Sequence, residues 1–246
     1  MKTHSSNIST KILIKSLIFS SLLTAGNALA QTLPLTSNLI AFNSDKGEEL
    51  LVKSKSREDF FPLSMQFTTQ VNQAYCGVAS MVMVLNSLGI EAPESQSYKP
   101  YRVFTQKNFF SNQATRKVVK PEIVARQGMT LEQMGQLLGS YNVNVKVHHA
   151  GNSSLEEFRR LAATNLKQEN NFVLINYLRK AIGQKRGGHI SPLAAYNEAE
   201  DRFLILDVSR YKYPPVWVKT ADLWKAMNTV DSSVNKTRGF VLVSKR

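Results

Sequence analysis

Apolar residues at Val78, Met81, Val82, Val84, Leu85 and Leu88 follow Cys76 and stop at Gly89, a residue suited to a helix C-cap. The spacing predicts a helix that begins at Cys76. Thr130-Leu-Glu-Gln133 fits a capping box ahead of Leu131, Met134, Leu137 and Leu138, and so predicts a second, amphipathic helix. The period then changes. Val143, Val145 and Val147 alternate as in a strand, and Ser153 or Ser154 caps a helix carrying Leu155, Phe158, Leu161, Ala162 and Leu166. Phe172 to Leu178 has the composition of a buried strand. His189 to Tyr196 and Phe203 to Val208 flank a turn at Asn197 to Asp201. Val216 to Val218, a short helix from Ala221 to Met227 and a last strand from Gly239 to Val243 complete the pattern. Val103 to Val119 is weakly patterned and polar, and is expected to be helical and to line a cleft.

A helical first half around Cys76 and a second half made largely of strands predict an α+β fold of two lobes, with a cleft between them. Residues 1–30 stand apart. Lys2, Lys11 and Lys15 precede a mostly apolar stretch and the small-residue site Ala28-Leu29-Ala30, which reads as a signal peptide of an exported, periplasmic protein. The apolar stretch is short and serine-rich for a stable membrane span; an uncleaved anchor is the alternative. Residues 31–64, with Pro34, Gly47 and Pro62, read as a leader segment, and residues 65–246 as the main domain.

Removing residues 1–30 takes three lysines and no acid from a formal charge of +13 and leaves +10. That balance suits anionic partners, but the basic residues are scattered. The densest cluster, Lys180 to Arg186, has no interleaved aromatics, so nucleic acid is not expected as a partner. Cys76 is the only cysteine, so an intramolecular disulfide is excluded and an unpaired thiol remains.

A lone cysteine is often a small buried hydrophobe. Three features favour chemistry. A helix N-terminus favours thiolate over thiol, and Gln70, six residues earlier, is placed to supply an amide to an oxyanion hole. His189 follows Gly187-Gly188 and opens a strand. Hairpin pairing then brings Asp207 within a diagonal step of His189, where its carboxylate fixes the imidazole tautomer. The competing role for Asp207 is a carboxylate capping the following turn; burial within Phe203 to Val208 demands a partner in either case. His148 and His149 point to opposite strand faces and read as structural, so no metal site is expected. The order Cys, His, acid with an upstream Gln is papain-like, with Asp207 where papain-like proteases use Asn.

Gln70-Val-Asn-Gln-Ala-Tyr-Cys76-Gly-Val-Ala-Ser, with Gly188-His189-Ile-Ser-Pro-Leu-Ala-Ala-Tyr and Leu204-Ile-Leu-Asp207-Val208, resembles the phytochelatin synthase family in its short bacterial form. The resemblance spans about residues 65–243 and implies a papain-like fold, with a helical lobe carrying Cys76 and an antiparallel sheet lobe carrying His189 and Asp207. It implies a transferase acting on glutathione. The Cys76 thiolate attacks the Cys–Gly amide, glycine leaves, and the γ-Glu-Cys acyl group passes to water or to a second glutathione. It further implies Arg179 and Arg238 as binders of the γ-glutamyl carboxylate and Asp231 as partner of its amine. No cofactor is implied; Cd²⁺ or Zn²⁺ enters as a thiolate complex of glutathione. The plant enzymes carry a cysteine-rich metal-sensing region; with one cysteine in this sequence, metal sensing by that route is not expected, and a homodimer is expected by resemblance. The alternative enzyme class is a cysteine peptidase of the double-glycine leader type, which shares Gln, five residues, then Cys-Gly. A basic secreted binding domain is the non-enzymatic alternative.

Overall fold

The computed structural model describes residues 32–246, which form one compact unit of mixed α+β structure. The expected signal peptide, residues 1–30, lies outside the described residues. Strand β1 (Ile40–Ala41) leads to helices α1 (Asp45–Lys53), α2 (Phe60–Met65), α3 (Cys76–Ser87), α4 (Gln113–Val118), α5 (Pro121–Gln127) and α6 (Leu131–Gly139). There follow β2 (Val143–His149), α7 (Leu155–Asn165), β3 (Asn171–Leu178), β4 (Gly188–Asn197), β5 (Arg202–Ile205), β6 (Val216–Lys219) and α8 (Thr220–Met227). A two-stranded hairpin, β7 (Val230–Asp231) with β8 (Lys236–Thr237), precedes β9 (Gly239–Lys245).

The main sheet is antiparallel throughout, in the order β1-β6-β5-β4-β3-β9-β2. Helices cover both faces, and the two-residue period of the strands divides the side chains between them. Phe172 and Leu174 of β3 join the core built around α3, together with Ile190, Leu204 and Val241. Val173 and Ile175 join the opposite core with Phe158 of α7, Leu223 of α8, Phe203 and Phe240. Burial on both faces explains why β3 from Phe172 to Leu178 is apolar at every position but Asn176. In α3, ten of twelve residues are buried, so it is a central helix without a solvent face.

The predicted cap residues act as expected. Thr130 and Gln133 form a complete capping box, and the Ser154 side chain accepts from the Glu157 amide. The hairpin after β4 pairs Tyr196 with Phe203 and Ala195 with Leu204. A bulge between Leu193 and Ala195 then shifts the register by one residue. This leaves Asp207, just past β5, diagonal to His189.

The described part of the expected leader segment, residues 32–64, packs on the rest of the unit. β1 pairs with β6, the Trp217 indole donates to the Gly47 carbonyl at 3.0 Å, and Leu39, Leu50 and Leu63 are buried. The anchors sit singly in short elements, too sparse to give a period. Val103 to Val119 holds a 3-10 turn at Phe109–Ser111 and the short α4 instead of one helix. Asparagine side chains satisfy its backbone: Asn86 binds both the Phe104 amide and carbonyl, and Asn108 binds the Thr105 amide and Val103 carbonyl. These bonds replace helical ones. Among the described residues no helix is long and apolar enough to cross a membrane.

Gly239 sits where β9 pairs with β2 on one side and β3 on the other. A Cβ there would lie 2.0 Å from the His148 carbonyl oxygen. Gly239→Ala must therefore push strands apart, at a cost of about 2–4 kcal/mol, read as a lower urea midpoint. An unchanged midpoint would contradict this strand register.

Candidate active site

Cys76 opens α3 through a short turn in which the Asn72 side chain accepts from the Ala74 amide at 2.9 Å. Tyr75 at the N-cap makes no side-chain capping bond, so the first-turn amides keep their positive ends toward the thiol. The Ser80 hydroxyl lies within bonding distance of the Cys76 carbonyl (2.8 Å) and the Ile190 carbonyl (3.2 Å). It ties the first turn of α3 to β4, beside His189.

His189, near the start of β4, is buried, and its Nε2 lies 2.9 Å from Asp207 Oδ1. That bond leaves Nδ1 for the thiol. Tyr177, its register partner on β3, packs edge-on against the imidazole with ring centroids 5.8 Å apart. Asp207 is fully buried and accepts further bonds from the Ser209 amide at 2.8 Å and from both terminal nitrogens of Arg179, at 2.7 and 2.8 Å.

The charges set one another. Burial pushes the Asp207 carboxyl up, but His189 and Arg179 outweigh it and hold its pKa well below the usual carboxylate range. Burial and the Arg179 charge oppose a charged His189, yet Asp207 and the Cys76 sulfur raise its pKa above that of ordinary histidine. Burial raises the Cys76 thiol, while the His189 charge and hydrogen bond, the Ile190 amide and Arg179 bring its pKa below that of an ordinary thiol. Cysteine and histidine are thus biased toward a thiolate–imidazolium pair.

A cavity of about 650 Å³ opens beside this pair. It is lined by Cys76, Gly188 and His189, by Asn176 of β3, by Asp231 and Arg238 around the β7–β8 hairpin, and by the turn between α5 and α6. Cys76, His189 and Asp207 therefore come together as expected, and Asp231 and Arg238 reach the same cavity. Arg238 is largely buried; one terminal nitrogen donates to the Val230 carbonyl at 2.7 Å, and the other lies 4.0 Å from Asp231. Its Nε has no partner.

Gln70 and Arg179 take other positions. Gln70 is buried. Its Oε1 accepts from the Ser209 hydroxyl at 2.6 Å, and its Nε2 donates to the Asn72 carbonyl at 2.6 Å. Arg179, expected as a binder of substrate carboxylate, turns inward instead. Its guanidinium is occupied by Asp207 and by the Gln184 side chain, and it stacks over Tyr213. A carboxylate already inside the core captures this arginine before any ligand does. Sequence reasoning missed Ser209, Asn176 and Ser80, since one loop serine, one strand asparagine and one helix serine carry no signal of their own.

His148 stacks on Phe240, and His149 bridges Glu132 and the Thr237 carbonyl. Among the described residues no three His, Cys, Asp or Glu side chains cluster to hold a metal ion.

Residues 30–240 match the family model described as phytochelatin synthase. The chain is 34% identical over 209 residues to glutathione gamma-glutamylcysteinyltransferase 1 of Lotus japonicus, covering 84% of this chain and 40% of the relative. It is 34% identical over 215 residues to glutathione gamma-glutamylcysteinyltransferase 2 of Arabidopsis thaliana, covering 86% and 46%. To the Schizosaccharomyces pombe glutathione gamma-glutamylcysteinyltransferase it is 29% identical over 212 residues, covering 85% and 50%. The chain thus spans half or less of the length of these relatives.

Two outcomes follow from the charge network. Cys76 should react with iodoacetamide near pH 6 far faster in the folded protein than in urea, where its thiol regains an ordinary pKa; equal rates would remove the thiolate. A depressed Asp207 pKa contributes stability that is full above about pH 3.9 and is lost as pH falls through the folded value. Asp207→Asn leaves Arg179 buried without a counter-ion and should cost about 3–5 kcal/mol at neutral pH. It should also flatten the acid limb, so urea midpoints of wild type and variant stay apart above about pH 4 and converge as pH falls below it.

Proposed function

As the chain belongs to the phytochelatin synthase family, we propose that it is a glutathione γ-glutamylcysteinyltransferase working through a Cys76 acyl-enzyme. The observation that carries this is His189, bonded to Asp207 and poised to charge Cys76, beside a cavity that holds Asp231 and Arg238. A papain-like arrangement, with the nucleophile on a helical side and the base on a sheet, fits the placement of α3 against β4.

The Cys76 thiolate attacks the carbonyl of the Cys–Gly amide of glutathione. The first-turn amide of Cys76 and the Gln70 amide nitrogen stabilise the oxyanion, Gln70 by releasing or sharing its bond to Asn72. His189 gives its proton to the glycine nitrogen, the C–N bond breaks, and a γ-Glu-Cys thioester remains. Water then yields γ-Glu-Cys, or the α-amine of a second glutathione yields a longer peptide. The unpartnered Arg238 Nε and the Asp231 carboxylate suit the α-carboxylate and α-amine of the γ-glutamyl group. Arg179 acts one step back, as a positioning residue that keeps Asp207 ionised and aimed at His189. Cd²⁺ or Zn²⁺ enters as a glutathione thiolate complex. A double-glycine peptidase shares Gln70 and Cys76-Gly77 but is not favoured, because the family match extends from residue 30 to residue 240.

Incubation with glutathione should release glycine and leave a γ-Glu-Cys adduct on Cys76, and Cys76→Ala should do neither. Arg238→Ala removes a charge-assisted contact worth about 1.5–3 kcal/mol, so kcat/KM should fall about ten- to a hundredfold. Wild-type protein that forms no adduct and releases no glycine would sink the proposal.

A further inference from the structure

The cavity has two walls with different chemistry. Asp231 and Arg238 form one, with the Arg238 guanidinium packed so closely on Gly188 that a Cβ there would lie 3.3 Å from it. The other is the turn between α5 and α6. A Cβ on Gly128 would contact the Ala74 carbonyl, and one on Gly77 would meet the Met129 side chain, so this turn lies against the first residues of α3. Cys76 is flanked by both walls. Among the cavity-lining residues the fixed cations are Arg126 and Arg238. Arg238 already has Asp231 and the Thr229 and Val230 carbonyls around it. Arg126, exposed at the end of α5, makes no hydrogen bond or ion pair among the described residues.

Acyl transfer from glutathione involves two amines at the same carbonyl. The departing amine is glycine, with a carboxylate on the neighbouring carbon. The entering amine is the α-amine of a γ-glutamyl residue, and it too has a carboxylate on the neighbouring carbon. Departure and attack follow one trajectory in opposite directions, so the two carboxylates occupy one place. A γ-glutamyl group held by Asp231 and Arg238 directs that place toward the opposite wall.

We propose that Arg126 binds the carboxylate adjacent to the reacting nitrogen, and so selects α-amino acids and peptides with a free α-carboxylate as leaving and accepting groups. The inference rests on the acyl-transfer reading above. In the transfer step the amine nitrogen forms a bond to the thioester carbonyl and gives a proton to neutral His189. The C–S bond breaks, and Cys76 leaves as thiolate beside the imidazolium. Water carries no carboxylate, so hydrolysis gains nothing from Arg126, whereas transfer does.

The test loads the enzyme with glutathione and offers glycine or glycinamide as acceptor, compared per unit of free amine. It uses wild type, Arg126→Gln and Arg126→Lys. Wild type should favour glycine by about three- to tenfold, the range of an ion pair at a partly exposed site. Arg126→Gln should remove the preference and lower the ratio of transfer to hydrolysis, and Arg126→Lys should restore part of both. An unchanged preference in Arg126→Gln, with adduct formation and melting temperature intact, overturns the role of Arg126 and leaves the acyl-enzyme reading standing. Absence of any γ-Glu-Cys adduct on wild type overturns that reading, and this inference with it.

Discussion

The buried Asp207 carboxylate is the interaction on which the site depends. It takes four bonds, from His189, from two nitrogens of Arg179 and from the Ser209 amide. A carboxylate with no exposure stays ionised only when its partners outweigh its lost hydration, and two cations do so here. Each partner belongs to a different segment: His189 to β4, Arg179 to the turn after β3, and Ser209 to the loop after β5. The network therefore fixes the ends of neighbouring strands in one arrangement. Because the Ser209 hydroxyl also holds Gln70, the same carboxylate reaches, at one remove, the turn that leads into Cys76.

This linkage gives the Cys76–His189 pair its polarity. Asp207 supports a charged imidazole, the imidazolium supports a thiolate, and the Arg179 charge that keeps Asp207 ionised also favours the thiolate directly. Arg179 opposes the imidazolium, so the arrangement balances rather than maximises the positive charge on His189. The Ser80 hydroxyl bridges α3 and β4. Cys76 and His189 are thus held together by a polar contact at the element ends as well as by the apolar core beneath.

Much of this was legible in the residues. The α3 and α6 helices, the capping box and the β4–β5 hairpin follow from local spacing, and hairpin geometry alone brought Asp207 near His189. In residues 32–64, Leu39, Leu50 and Leu63 act singly and give no period, and their importance appears only when Trp217, far along the chain, closes on Gly47. Val103 to Val119 departs from a single helix because Asn86 and Asn108 supply backbone bonds that periodicity does not register. Ser209 is invisible for the same reason: its role exists only after the loop has folded.

The two arginines show where sequence reasoning ends. Both follow or precede a buried strand, both are almost wholly buried, and the family resemblance implies one role for both. Their surroundings separate them. Arg179 meets a carboxylate at 2.7 Å and places both terminal nitrogens on it. Arg238 meets its acid only at 4.0 Å, satisfies one nitrogen on carbonyls, and keeps Nε unpaired at the cavity wall. A buried donor without a partner is costly, and a ligand carboxylate relieves that cost. Whether a buried guanidinium is structural or available for recognition is decided by the nearest anion, and here that anion is placed by a bulge and a loop rather than by any local pattern.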